Sequence, residues 1–511
     1  MFLLRRYRLD AVSTDPAVLP SLLAGVLASA LGTDVPPGHA DAVTARVLRP
    51  DFGRWQAHAA RANGCTRPIR LRGTSTTVNA RTGEVVESFD TATLPDQTLY
   101  KPCGTRRESV CPACAEVYRW DAYHLIASGL RGGKGVPDSV TEHPATFLTL
   151  TPPSFGIVHT RPDRTGRPGH SHTRLGPCRP RRDRPMCPHG KPASCGVVHG
   201  DGDTRTGTPL CLDCYDHAGQ VAWNAFVPKL WTRTIDAVKR ELRRLSRHHG
   251  GTPAKIRYAK VAEFQARGAV HLHALIRLDG DDPADPTAVL PPPPWATAEL
   301  LNGLLIDAAR STAVRTPPHP DRPDGWVVQW GEHVKPLTVA RGLPGAEVTE
   351  QHVAGYLAKY ATKATEPAGH LSTRLTESTV RLYNNPAKHT GRLVAAAWIL
   401  GRPDAGDAWN RLRPWAHMLG FGGHFATKSR AYSTTFGALR AARSSAMRRA
   451  NAATAAHPEQ LTPQDHEDQV LIVGDWTYAG TGWRTTADAA LALAAADAAR
   501  SRRPATAHTA A

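Results

Sequence analysis

The sequence lacks any apolar run long enough to cross a membrane. The longest candidate near its start, SLLAGVLASALG, falls short of the roughly 20 residues that a spanning helix needs and reads as a packed helix. It also lacks a convincing secretory leader. Arg5, Arg6, Arg8 and Asp10 interrupt the opening apolar residues, and Pro20 precedes the second run. There is no internal repeat of the kind that builds a solenoid. Acidic residues are in short supply: 45 Asp and Glu against 63 Lys and Arg leave a net charge of +18, which favours a polyanionic partner such as nucleic acid. The expectation is a cytoplasmic protein. In that reducing compartment the spacing of its nine cysteines points to metal rather than to disulfides.

The 511 residues suffice for two to four domains. Residues 1–60 read as helical, 61–140 as a cysteine-containing module of zinc-ribbon type, and 141–400 as a central α+β domain with a cysteine-rich insertion at 175–218. Residues 401–485 follow as an accessory region, and 486–511 as an Ala/Arg-rich helix or disordered tail. Within this frame IRLRGTSTTVNARTGEVVES reads as a hairpin, YRWDAYHLIASGLRGG as a helix stopped by glycine, and ATFLTLT as a strand ended by two prolines. LWTRTIDAVKRELRRLSRHHG is a basic amphipathic helix. GWVVQWGEHVKPL reads as a strand, and EVTEQHVAGYLAKYATKATE as a helix with Thr349 in the capping position.

Two stretches carry chemistry. In AKVAEFQARGAVHLHALIRL, a three-residue turn Ala266-Arg267-Gly268 closes a hairpin. That register sets Glu263 opposite His271 and Val261 opposite His273. Because alternate strand residues share a face, Glu263, His271 and His273 then project together. Two imidazoles and a carboxylate form a mixed N/O site suited to Mg²⁺ or Mn²⁺, with zinc as an alternative. In GYLAKYATK, Tyr356 and Tyr360 lie one helical turn apart, as do Lys359 and Lys363. A phenol is a poor nucleophile near neutrality, since its pKa is about 10. Neighbouring ammonium groups and a divalent metal favour its ionised form.

The cysteines form two groups. Cys103, Cys111 and Cys114 are three parts of a zinc site, and Cys65 is available as the fourth across a hairpin. Cys187, Cys195, Cys211 and Cys214 make a second group, with His189, His199 and Cys178 competing for places. Both sites read as structural Zn²⁺ sites that organise segments too short and polar to build their own cores. The arginine-rich stretch HTRPDRTGRPGHSHTRLGPCRPRRDRP supplies charge for phosphates.

The ordered series FLTLT, HLHALI and YLAKYATK resembles the HUH endonucleases of rolling-circle replication, with the doubled Tyr-x-x-Lys similar to their two-tyrosine class. CGTRRESVCPAC, TLTPPSFGIVH, CPHG, LCLDCYDH and MLGFGGHFATKSRAYSTTFGALR resemble the replication initiators of actinobacterial plasmids and integrative elements. The resemblance implies an α+β fold, an HUH-like antiparallel sheet with flanking helices and zinc-ribbon-like insertions. It implies that His271 and His273 hold the catalytic metal, with Glu263 as third ligand. It also implies that Tyr360 with Lys363, or Tyr356 with Lys359, is the nucleophile with its helper. Tyr360 is favoured for the first cut, because related single-tyrosine initiators carry a carboxylate where Tyr356 stands. Thr149 and Thr151 fall in the first motif, whose role is structural or in DNA contact. The implied partners are a plasmid double-strand origin, single-stranded at the nick, and a host helicase and polymerase. A conjugative relaxase or HUH transposase would share the chemistry and differ in substrate. A non-catalytic zinc-containing DNA-binding regulator would leave the histidines and tyrosines dispensable.

Overall fold

The computed structural model describes residues 39–164, 174–183, 185–339, 350–362, 374–453 and 470–501. The SLLAGVLASALG run, Thr349 and Lys363 lie outside them. No helix among the described residues is long and apolar enough to cross a membrane. The chain is α+β with antiparallel sheets, and it divides into two compact units, Met1–Tyr118 with Ala441–Ala511, and Arg119–Arg440.

In the first unit, strand Ile69–Asn79 is the hub. It pairs antiparallel with Val85–Asp90, with Leu99–Lys101 and with the distant strand Val470–Thr481. Helices His39–Val47, Phe52–Ala60 and Thr486–Ser501 pack around Val43, Trp55, Ala59 and Leu491. A buried Arg46 joins them, reaching Asp488 at 2.8 Å and Asp96 at 3.0 Å.

The second unit is built on a five-stranded antiparallel sheet. Its order is Val334–Thr338, Ala145–Leu150, Val270–Gly280, Ala254–Phe264, Ala426–Lys428, so the histidine strand is the middle one. Side-chain alternation gives its two faces different jobs. The even-numbered residues Ala262, Phe264, Val270, Leu272, Ala274, Ile276 and Leu278 are all buried in one apolar core. That core includes Val221, Leu230, Ile235, Val238 and Leu242 of the 33-residue helix His217–His249.

The long helix starts where Asp216 accepts a hydrogen bond from the Gly219 amide at 2.7 Å. It ends at Gly250, with φ of 70°, after a basic last turn that suits the helix dipole. Near its start, three side chains within about one turn of one another hold the tip of the histidine hairpin. Gln220 donates to the Arg267 carbonyl, Trp223 to the Val270 carbonyl and Asn224 to the Gly268 carbonyl, while Asn224 Oδ1 accepts from the Val270 amide. The backbone groups that a buried turn would leave unpaired are thereby satisfied. Gly268 itself has φ of 76°, and a Cβ there would come within 2.6 Å of Leu419 Cδ1, so the turn requires glycine.

The odd-numbered face carries charge. Asp279, fully buried, takes two bonds of 2.7 Å from Arg277, one of 2.8 Å from His143, and lies 2.9 Å from Arg257 Nε. Burial opposes its ionisation, yet the hydrogen bonds from His143 and Arg277 hold its pKa below the usual value. The stretch GWVVQWGEHVKPL forms two short strands, Val327–Gln329 and Val334–Thr338, in different sheets. The break falls at Gly331, where a Cβ would meet the Pro152 carbonyl oxygen at 2.6 Å.

Candidate metal and nucleophile site

The hairpin register expected from the sequence is the one observed: Glu263 pairs with His271 and Val261 with His273. Glu263, His271 and His273 converge at the end of the odd-numbered face. His271 Nε2 is 3.0 Å from Glu263 Oε2, His273 Nε2 is 3.5 Å from the same oxygen, and the two Nε2 atoms are 3.1 Å apart. Three electron-pair donors aimed at one point repel one another unless a proton or cation lies between them. A divalent ion satisfies all three at once, so the donor set fits a metal of the Mg²⁺ or Mn²⁺ type.

The surroundings tune these groups. Burial pushes the His273 imidazolium pKa below its ordinary value, which keeps the ring neutral and able to donate a lone pair. Burial works against ionising Glu263, but its interactions with the neighbouring His271 and His273 rings outweigh it and hold the carboxyl below its usual pKa. His273 is oriented from behind. Thr149, paired with it across the sheet, places Oγ1 3.1 Å from His273 Nδ1. With Nδ1–H donating to that hydroxyl, Nε2 presents its lone pair to the cluster as the ligand nitrogen. Phe147 stacks on the same ring at 5.7 Å and 4°. His271 Nδ1, by contrast, is buried with no hydrogen-bond partner among the described residues.

Helix Glu350–Thr362 brings the tyrosines. It buries Val353, Ala354, Leu357 and Ala358, the apolar face that seats it, and leaves Tyr356 38 % exposed. The Tyr356 hydroxyl is 3.4 Å from His273 Nε2, and its ring meets His273 edge-on at 5.1 Å and Phe147 edge-on at 5.8 Å. Lys359 follows on the same helix and is exposed. Tyr360 is in the helix, but its side chain lies outside the described residues, as does Lys363. Thr151 donates to the His333 carbonyl. Sequence reasoning missed the partnership of Thr149 with His273. The alternation in FLTLT held the signal, because Phe147 and Thr149 must share a face. It also missed Lys335, which is exposed on the neighbouring strand directly opposite Thr149.

The cysteines converge in three groups rather than two. Cys65, Cys103, Cys111 and Cys114 come together, with Cys65 and Cys111 sulfurs 3.8 Å apart. Hydrogen bonding from Cys114, against burial, pulls the Cys65 thiol down to about 5, toward the thiolate that zinc binds. Trp483 caps this cluster by donating to the Cys65 carbonyl. In the insertion, Cys187, Cys211 and Cys214 converge with His189. Cys195 does not join them. It stands instead with His159, Cys178 and His199.

A family model described as "Replication initiator protein, pSAM2" (RepSA) matches residues 51–497. A curated replication initiator protein of Streptomyces ambofaciens is 40 % identical over 441 residues, covering 85 % of this chain and 87 % of that protein. No solved structure matches the chain.

Proposed function

The chain belongs to the RepSA family of plasmid replication initiators, and from that premise we propose that it starts rolling-circle replication by cutting one strand of its origin with a tyrosine hydroxyl held beside a divalent-metal centre. The observation that carries this reading is the Tyr356 hydroxyl 3.4 Å from Nε2 of His273, within a two-histidine, one-carboxylate cluster. A five-stranded antiparallel sheet with the histidine strand in the middle is the arrangement an HUH endonuclease requires, and we read the fold that way.

Glu263, His271 and His273 would hold Mg²⁺ or Mn²⁺, which when bound supplies positive charge to a non-bridging oxygen of the scissile phosphate. The chain's own groups do the rest. Thr149 and Phe147 keep the His273 ring in place. Lys359 favours the ionised phenol and helps to neutralise the phosphate. Tyr356 Oη, having lost its proton, attacks phosphorus. The Oη–P bond forms as the P–O3′ bond breaks, and the departing oxygen takes up a proton to become a 3′-hydroxyl. The 5′ end stays on the protein while that hydroxyl primes a host polymerase behind a host helicase. Tyr360, with Lys363, supplies a second phenol one turn along the helix for the cut that releases the displaced circle. This order places Tyr356 first, against the preference drawn from sequence alone, because its hydroxyl already stands at the cluster. Exposed arginines of the insertion and of the stretch before it, among them Arg161, Arg179, Arg181 and Arg182, bind backbone phosphates of cytoplasmic plasmid DNA. The cysteine groups at Cys65, Cys103, Cys111 and Cys114 and at Cys187, His189, Cys211 and Cys214 hold structural Zn²⁺.

The test is incubation with Mn²⁺ and a supercoiled plasmid carrying DNA from beside the coding region, followed by denaturing gels. One strand should be nicked at one position with protein on its 5′ end. His271→Ala or His273→Ala should remove roughly 4 kcal/mol of charge stabilisation, about a thousandfold in rate, while duplex binding in a gel shift persists. Unchanged nicking in the double alanine variant would refute the metal centre.

A further inference from the structure

Among the described residues from 159 to 214, eight cysteines and histidines have an informative chain order. They run His159, Cys178, Cys187, His189, Cys195, His199, Cys211, Cys214. Taken as successive pairs, the first and third pairs converge on one point, and the second and fourth on another. We propose that His159, Cys178, Cys195 and His199 bind a structural zinc ion of their own, and that this site is interleaved with the Cys187, His189, Cys211, Cys214 site so that two ions cross-brace a single module.

Several observations favour a metal over hydrogen-bonded thiols. All four donor atoms of the new site lie within 4.8 Å of one another. Cys178 Sγ is 3.8 Å from His159 Nδ1, and Cys195 Sγ is 3.8 Å from His199 Nε2. Tetrahedral zinc, with bonds of about 2.3 Å to sulfur and 2.0 Å to nitrogen, sets sulfur and nitrogen ligands about 3.5 Å apart. His199 is fully buried, and its far nitrogen, Nδ1, lies 2.7 Å from Asp203 Oδ2. With Nδ1–H given to that carboxylate, the Nε2 lone pair points at the cluster, the arrangement of a carboxylate-backed zinc histidine. The Thr160 amide donates to Cys178 Sγ at 3.2 Å, a bond that favours the thiolate. A Cys178–Cys195 disulfide would leave both inward-facing imidazoles without an electrophile.

The module also needs the metal. Among the described residues from 159 to 210, the buried ones are Gly176, Cys178, His199, Gly207 and Pro209, and Met186, Val197 and Val198 are exposed. No aliphatic core exists there to oppose chain entropy. The site lies close to the histidine hairpin through its first ligand. His159 exchanges backbone bonds with Gly207 and Thr208, at 2.9 and 2.8 Å. Gly207 packs on the hairpin turn so closely that a Cβ would come within 2.6 Å of Ala266 Cβ.

The experiment is native mass spectrometry of the full chain, purified reduced and without chelators, with zinc confirmed by elemental analysis. It reads metal rather than DNA cutting, so its outcome is independent of the nicking mechanism. Wild type should carry three zinc ions, the two here and the one at Cys65, Cys103, Cys111 and Cys114. Two or fewer would overturn the third site without any variant. Cys195→Ser should drop the count to one, because Cys187 and His189 lie between the paired ligands of the broken site. A count of two in that variant would overturn the interleaving, and a count of three would overturn the site itself. Should Cys195→Ser be insoluble, His159→Ala is read the same way.

Discussion

Thr149→Val tests how the metal centre is oriented. The substitution is nearly isosteric and keeps a β-branched residue in a central strand, so the sheet should tolerate it. What it removes is the hydroxyl 3.1 Å from His273 Nδ1. His273 is only 2 % exposed, so its Nδ1–H loses a buried hydrogen bond, at a cost of about 1–3 kcal/mol. The ring can escape that cost only by turning, and turning moves Nε2 off the ligand position. At 1.4 kcal/mol per decade, metal affinity should fall about 10–100-fold, the range usual for such supporting groups. The assay is nicking rate against Mn²⁺ concentration, with direct Mn²⁺ titration by calorimetry. The half-saturating concentration should rise by that factor, and the rate at saturating metal should recover. An unchanged half-saturation point would refute the orienting role. Lost activity that excess Mn²⁺ does not restore would refute it as well, and would assign Thr149 to contact with DNA.

Two further outcomes concern the scaffold. Asp279→Asn leaves Arg277 and Arg257 buried beside a neutral amide, and urea unfolding should show a loss of about 3–5 kcal/mol; a loss under about 1 kcal/mol would contradict the buried network. His217 donates to His389, which donates to the Arg267 carbonyl at the hairpin turn, and burial, then the charges of His389 and Arg392, push His217 down from 6.5 to about 4. A histidine with a depressed folded pKa contributes stability that is fully present above the unfolded value and is lost as pH falls. The urea midpoint should therefore decline between pH 6.5 and about 4, and less steeply in His217→Gln; equal slopes would remove His217 from the account.

The histidine hairpin was legible because a strand's period of two leaves little freedom once the turn is placed. Gly268 marks the turn, and Glu263, His271 and His273 then have to share a face. The tyrosine helix was legible from apolar spacing at Val353, Leu357 and Ala358. The Cys65 group was legible because a Cys-x2-Cys pair demands two more ligands, and nearby candidates were few. The insertion was not, since interleaving separates ligands that meet in space and joins His159 to a cysteine 36 residues downstream. Read from the sequence, Cys195 groups with Cys187, Cys211 and Cys214, with His189, His199 and Cys178 as competitors, whereas it stands with His159, Cys178 and His199. The strand at 470–481 paired with 69–79 was equally hidden. Such a contact depends on the packing of a whole unit and leaves no local mark. Thr149 shows a third kind of loss: its strand was recognised, but its partner across the sheet is chosen by the register between strands distant in sequence.

The central claim is that a phenol of helix Glu350–Thr362 forms the covalent bond to DNA. The most direct measurement traps the adduct with a suicide oligonucleotide spanning the nick, digests the protein and maps the modified peptide by mass spectrometry. A 5′-phosphotyrosine should be found on Tyr356 after the first cut, with the adduct shifting to Tyr360 only in Tyr356→Phe or after a second cleavage. A nicked product with a free 5′ phosphate and no modified tyrosine would contradict it.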